Sequence, residues 1–135
     1  MQKGLGMSIK RISSGSAFEA KIGYCRAVVA DGWVHVAGTV GKGGTVEEQC
    51  QNALSTIEKA LTTAGCGFSD VVRVTYMLPH AADFELCWPF LRSVFGENPP
   101  VATMIECGLI APEFLIEIEV TAFVPAEGAA KRASI

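Results

Sequence analysis

The part of this sequence best suited to acid–base chemistry is an alternating run near its C-terminus, Ile116-Glu117-Ile118-Glu119-Val120. Side chains of a β-strand alternate between its faces, so the run predicts a strand with Glu117 and Glu119 on the side away from the core. That side either meets water, where the carboxylates are simply solvated, or lies in a subunit interface. In an interface a carboxylate is desolvated, which raises its pKa and lets it orient or deprotonate a water molecule.

Positively charged side chains are scattered along the chain, with 11 Lys and Arg against 14 Asp and Glu and a net charge of −3. Nucleic acids are bound by clustered cations, so we expect no nucleic acid partner. Arg26 follows Tyr24 by two residues and is predicted to lie on a hairpin surface, with a place in a binding cleft as the alternative. Arg73 and His35 are expected on sheet faces, and His80 lies in a turn without an assigned role.

The remaining chemistry-bearing residues give no metal or phosphate motif. Five widely spaced cysteines without a CxxC pair predict neither a disulfide framework nor a zinc site, and we expect no metal and no cofactor. Such thiols are typical of small buried side chains in the cytoplasm. The Gly-rich segment 38–44 has no Ser or Thr after a Gly-Lys pair, so it is not a phosphate loop. We expect it to bring backbone close to a neighbouring element.

The elements around these residues have clear local signals. Runs 24–30 and 33–37 are joined by Asp31-Gly32, a strong signal for a two-residue β-hairpin turn. Thr45 and Glu48 form a capping box that begins a helix, which Gly65 ends. A strand over 71–78, a helix begun by Asp83 and kinked at Pro89, and strands over 101–107 and 115–124 follow. A short edge strand is predicted at 9–12.

This order predicts an α+β (α/β) domain of two layers, with two helices on one face of a mixed sheet. We expect a single domain over 1–135 with its core at about 20–124 and with flexible N-terminal and 125–135 segments. Hydrophobic residues make up 50% of the chain and charged residues 19%, a balance that favours apolar contact between subunits. The chain has no apolar run long enough for a membrane span and no signal-peptide core, so we expect a cytoplasmic protein without a membrane partner.

Several segments, in this order and spacing, resemble the RidA (YjgF) family of imine deaminases. Residues 22–24 and 33–39 resemble its first hairpin, and residues 51–54 with Ala64-Gly65 resemble its first helix and the exit from it. Residues 71–74 and Asp83-Phe84 fit its middle. Residues 99–106 and 116–119 resemble its C-terminal signature.

The resemblance implies a chorismate-mutase-like fold that assembles as a homotrimer, with small-molecule clefts between subunits. Well-studied members of the family hydrolyse reactive enamines and imines, such as 2-aminoacrylate, without metal or organic cofactor. In them a Glu of the last strand holds the attacking water, and a Tyr and a hairpin-end Gly line the cleft. By position these are Glu117, Tyr24 and Gly38 of this chain.

One position departs from the family pattern. In the P-A-R-S/T segment an Arg clamps the substrate carboxylate, but this chain has Ala102, followed by Thr103 and Met104, in the segment that would bind substrate. Alanine cannot replace a bidentate guanidinium. Three interpretations remain: a hydrolase for an imine or enamine other than 2-aminoacrylate, a non-catalytic metabolite-binding or regulatory protein, and an RNA- or translation-related factor, which the acidic balance disfavours.

Overall fold

The computed structural model describes residues 8–125, and these form one mixed six-stranded sheet with helices packed against it. The strand order is β1-β2-β3-β6-β4-β5, and only β4 and β5 are parallel. The strands are β1 Ile9–Ile12, β2 Ala27–Ala30, β3 Trp33–Thr39, β4 Val71–Leu78, β5 Val101–Glu106 and β6 Glu117–Phe123. The helices are α1 Ala17–Ile22, α2 Val46–Thr63 and α3 Phe84–Phe95, with two single 3-10 turns at Phe68–Asp70 and Ala81–Asp83.

Three local signals of the sequence are confirmed, namely the hairpin turn, the capping box and the glycine after the helix. Asp31 and Gly32 both adopt positive φ, at 50° and 83°, and join β2 to β3 in a two-residue turn. Thr45 and Glu48 exchange the two hydrogen bonds of a capping box at the start of α2, which satisfies amide groups that would otherwise lack partners. Gly65, with φ 89°, follows the end of that helix. All three features depend on residues within a few positions of one another, which is why the sequence predicts them.

The core lies between the sheet and the two long helices. The inward face of β6 contributes Ile118, Val120 and Ala122, all buried, and Ile116 just before the strand is also fully buried. From α2 the residues at helical spacing, such as Cys50 and Ile57, pack against this face. The predicted α+β fold with two layers is therefore confirmed, and the alternation of β6 leaves its acidic residues on the other side of the sheet.

Residues 8–23 contain the predicted edge strand β1 and one helix that the sequence did not predict, α1. A core beginning near residue 20 omits β1, whose Ile12 is buried beside Ala27, and it also omits α1. Ser16 caps α1 by accepting a hydrogen bond from the Phe18 amide, a signal that sequence inspection missed. Asp83 stands at the cap position of α3 as predicted, but its side chain makes no capping hydrogen bond.

Two further expectations concern the ends of the chain and the membrane. The predicted tail lies outside the described residues except for its first residue, Pro125. Among residues 8–125, none of the helices combines the length and apolar character that crossing a bilayer would need.

Candidate active site at the end of the first hairpin

A cavity of about 620 Å³ opens where the first hairpin, α1, α2 and the segment between β5 and β6 meet. Its polar lining includes Tyr24, Arg26 and Gly38 from the region of the first hairpin, together with Glu117 from β6, which is distant in the sequence. Its apolar lining comes mainly from α1 and from the segment before β6, namely Phe18, Ile22, Val40, Ile110, Ala111 and Phe114. The structure thus brings together three of the site residues predicted from sequence, Tyr24, Gly38 and Glu117.

Glu117 is the first residue of β6, and its partly buried side chain projects into this cavity. Loss of hydration raises the pKa of its carboxyl group, and the neighbouring carboxylate of Glu119 raises it further, while the Arg26 guanidinium lowers it. Within the described chain, no hydrogen bond contributes to this shift. The Glu117 carboxylate is therefore available to accept hydrogen bonds from a molecule in the cavity.

Gly38 leaves the room that this carboxylate needs. It lies in β3 at an irregularity in the pairing with β6, where the register shifts between Val36 and Thr39. A methyl group at Gly38 would overlap Glu117 Oε2 and would lie 3.1 Å from its Cδ. The absence of a side chain at residue 38 thus allows the Glu117 carboxylate to lie directly against the hairpin backbone.

Arg26 is a member of this site that the sequence analysis predicted to be a surface residue, and that prediction is wrong. Only 9% of the residue is exposed. Its Nη1 donates to the Gly38 carbonyl at 3.1 Å and to the Thr39 hydroxyl at 2.9 Å, and its Nη2 donates to the Tyr24 hydroxyl at 3.4 Å. Nε is buried without a hydrogen-bond partner in the described structure. The side chain therefore connects the end of β3 to the tyrosine.

Gln49 of α2 holds the segment that precedes β6, and sequence inspection did not identify it. The residue is only 3% exposed. Its Nε2 donates to the carbonyls of Gly43 at 3.0 Å and Glu113 at 2.9 Å, and its Oε1 accepts from the Leu115 amide at 2.8 Å. A buried amide with three backbone partners fixes two loops at once. The only available signal was a polar residue on the apolar side of a predicted helix.

The Gly-rich segment 38–44 lies close against α2. A methyl group at Gly41 would overlap the Gln49 carbonyl and the Ala53 amide of α2. The Asn52 side chain donates to the Lys42 carbonyl at 2.6 Å. The expectation that this segment brings backbone close to another element is confirmed, and the element is α2.

Ala102, Thr103 and Met104 lie elsewhere in the chain. They belong to β5 at the edge of the sheet, and β4 separates that strand from β6. Ala102 pairs with Val74 and faces the helices, whereas Glu117 faces the opposite side. Ala102 and Met104 instead line a smaller apolar groove beside α3, and Thr103 alternates to the other face. One subunit alone does not bring these three residues to the Glu117 cavity.

The donor set of the site is not that of a metal centre. Over residues 8–125, no three His, Cys, Asp or Glu side chains lie close enough together to hold a metal ion. What the cavity offers is one carboxylate acceptor, one phenol and a buried guanidinium, with apolar walls around them. These features define a small α+β domain with a candidate site for a small organic molecule.

Comparison with known proteins gives the family. The model of the family described as Endoribonuclease L-PSP matches residues 14–124. A crystal structure of a member of the YjgF/YER057c/UK114 family from Mycobacterium tuberculosis superposes with a TM-score of 0.84 at 41% identity, covering 87% of this chain and 100% of that one. The chain therefore belongs to the RidA/YjgF family, as its sequence segments indicated.

Curated relatives agree with this assignment. An uncharacterized protein of Streptomyces coelicolor is 32% identical over 124 residues, which is 86% of this chain and 92% of that protein. The 2-iminobutanoate/2-iminopropanoate deaminase of Rattus norvegicus is 30% identical over 123 residues, 84% of this chain and 90% of that enzyme. Some relatives of this chain are thus imine deaminases.

Proposed function

We propose that this protein hydrolyses an imine or enamine in the cavity at the end of its first hairpin, with Glu117 as the residue that orients and deprotonates the attacking water. The observation that carries the proposal is the Glu117 carboxylate itself, which is partly desolvated, lies against Gly38 and shares its cavity with Tyr24. A carboxylate with a raised pKa is a suitable general base near neutral pH. The deaminase relatives support the reaction class.

The reaction requires no oxidant, metal or cofactor. Water adds to the carbon of a protonated imine while Glu117 accepts one of its protons, which gives a carbinolamine. Glu117 returns that proton to the nitrogen. As the C–N bond breaks and the C=O bond forms, Glu117 accepts the hydroxyl proton and passes it to the departing ammonia, so a carbonyl compound and ammonium leave. The Tyr24 hydroxyl already accepts a hydrogen bond from Arg26, so its own proton is free to be donated to the substrate or to the carbinolamine oxygen.

The residue at position 102 argues against 2-aminoacrylate as the substrate. The family clamp is a guanidinium, and loss of a buried charge-assisted pair typically costs about 2–5 kcal/mol. We propose that the clefts form between subunits of a homotrimer, so that Ala102, Thr103 and Met104 of one subunit approach the Glu117 cavity of the next. Support comes from β5, where every residue is exposed in the single subunit. In that arrangement Ala102 would leave room for a larger or uncharged group.

The test of catalysis is ammonia release from 2-aminoacrylate and from imines without a carboxylate, using the wild type, Glu117→Ala and Glu119→Ala. Glu119 lies on the same strand but outside the cavity, so its variant is the matched control. We expect turnover of a carboxylate-free imine that Glu117→Ala loses and Glu119→Ala keeps. Equal rates in the wild type and Glu117→Ala would exclude the proposed role.

Two further experiments address the clamp and the assembly. Ala102→Arg should raise activity on 2-aminoacrylate if the residue faces a neighbour's cavity, and unchanged background activity would argue against that placement. Light scattering at micromolar concentration should give the mass of a trimer. A monomer would remove the shared-cleft model, while leaving the role of Glu117 testable within one subunit.

The main alternative is a protein that binds a metabolite without turning it over. The observation in its favour is Ala102, since the family's substrate clamp is missing while the cavity remains. Thermal stabilisation by a ligand that yields no product would support it.

All five cysteines are free thiols, which supports our proposal of a cytoplasmic location. The absence of a nucleic acid partner remains a prediction from the charge balance.

A further inference from the structure

The Glu117 cavity is lined by large apolar side chains that are exposed in the single subunit. Phe18 and Ile22 of α1 are 63% and 70% exposed, and Ile110 opposite them is 92% exposed. All three line the cavity, with Phe114 beside them. Large apolar side chains around a concave site lose their contact with water when an apolar ligand group enters. The cavity is therefore built for a ligand with a hydrocarbon portion.

The charges that line the same cavity are mainly negative. Two carboxylates, those of Glu117 and Glu113, line it together with one cation, Arg26. Among residues 8–125, no group donates a hydrogen bond that shifts the pKa of Glu117. In a partly desolvated site an unsatisfied carboxylate is costly unless a donor reaches it. A ligand N–H group would supply that donor.

Three of the five N–H groups of Arg26 are used by acceptors within the protein. Both protons of its Nη1 are used by the Gly38 carbonyl and the Thr39 hydroxyl. Nη2 donates to Tyr24, and Nε is enclosed by protein atoms, so that a ligand oxygen cannot approach it in this conformation. The bidentate edge with which an arginine grips a carboxylate, formed by Nε and Nη2, is therefore not offered to the cavity.

Resting on the proposed function, we infer that this cavity selects a cationic ligand with an apolar substituent: an iminium ion, or the related primary amine, without a carboxylate. The ligand nitrogen donates to Glu117, and its hydrocarbon portion lies between Phe18, Ile22 and Ile110. Arg26 acts as a positioning residue, which holds Tyr24 and Gly38 and does not contact the ligand charge. The substrate class thus differs in charge from that of the 2-imino acids.

The inference can be tested by equilibrium binding, which does not depend on turnover. Benzylamine, benzyl alcohol and benzoate have similar shapes but carry positive, no and negative charge at pH 8. Isothermal titration calorimetry with the full chain should give the tightest binding for benzylamine, by about tenfold over benzyl alcohol, as expected for one hydrogen bond to a charged group. Methylamine, which lacks the apolar portion, should bind more weakly than benzylamine.

Variants distinguish the Glu117 contact from general surface charge. Glu117→Gln should bring benzylamine and benzyl alcohol to within about threefold of each other, whereas Glu119→Gln, the matched control on the same strand, should keep the wild-type order. Tightest binding of benzoate, equal binding of all three probes, or no detectable binding of benzylamine would each overturn the inference. If the order of affinities holds but no imine is hydrolysed, the cavity is a binding site and only the proposed catalysis fails.

Discussion

Replacing Gly38 with alanine tests whether the position of the Glu117 carboxylate controls the activity of the site. The new methyl group would overlap Oε2 and approach Cδ to 3.1 Å, so the carboxylate must move by about 1 Å to restore ordinary contact distances. A displacement of this size at a reacting group can reduce the rate about 100-fold, equivalent to roughly 2.7 kcal/mol of transition-state stabilisation. We expect that loss in kcat/KM on the imine that the wild type hydrolyses.

The fold should tolerate the same change. Gly38 does not require a positive φ, and the atom in its way is the end of a flexible side chain. The free energy of unfolding, measured in urea, should therefore change by less than about 1 kcal/mol. Gly67→Ala is the matched control, because its extended backbone suits alanine and no atom lies within 4 Å of the new methyl group.

A double-mutant cycle tests whether the new methyl group at residue 38 acts only through the Glu117 carboxylate. If Gly38→Ala acts only through the carboxylate, it should cost nothing further in a Glu117→Ala background, measured as residual kcat/KM or as benzyl alcohol affinity. Additive losses would show that the methyl group harms the site by another route. Wild-type activity in Gly38→Ala would refute the proposed geometry outright.

Three further predictions concern the residues that support the site. Burial and the Glu119 carboxylate raise the pKa of Glu117 above its ordinary value of 4.5. Because a general base must be ionised, kcat/KM should fall as the pH decreases through an inflection above 4.5. An inflection at or below the ordinary value would contradict this. Arg26 lowers the pKa of Glu117, so Arg26→Gln should move the inflection to higher pH, whereas a residue with only a structural role would leave it unchanged. Gln49→Ala removes three hydrogen bonds from a buried side chain to backbone and should lower the free energy of unfolding, measured in urea, by about 2–4 kcal/mol. Gln51→Ala, an exposed change on the same helix, should change it by less than about 0.5 kcal/mol.

The sequence by itself determined most of the elements and the general fold. The turn at Asp31-Gly32, the capping box of α2 and the alternation of β6 each depend on residues within a few positions of one another, so the local pattern predicts them. The same alternation placed Glu117 away from the core. The sequence did not predict α1, because a single Ser16 cap and six residues give too short a pattern to distinguish a helix from a loop.

Only the tertiary structure decided how the candidate site is assembled. Arg26 resembles a surface hairpin residue in sequence, and its burial depends on acceptors at Gly38 and Thr39 that the paired strand brings to it. Gln49 reaches partners 64 and 66 residues away along the chain. The placement of Ala102 on the helix side of the sheet follows from its pairing with β4. These contacts join segments distant in sequence, so they depend on the register and strand order of the folded sheet, which local spacing does not encode.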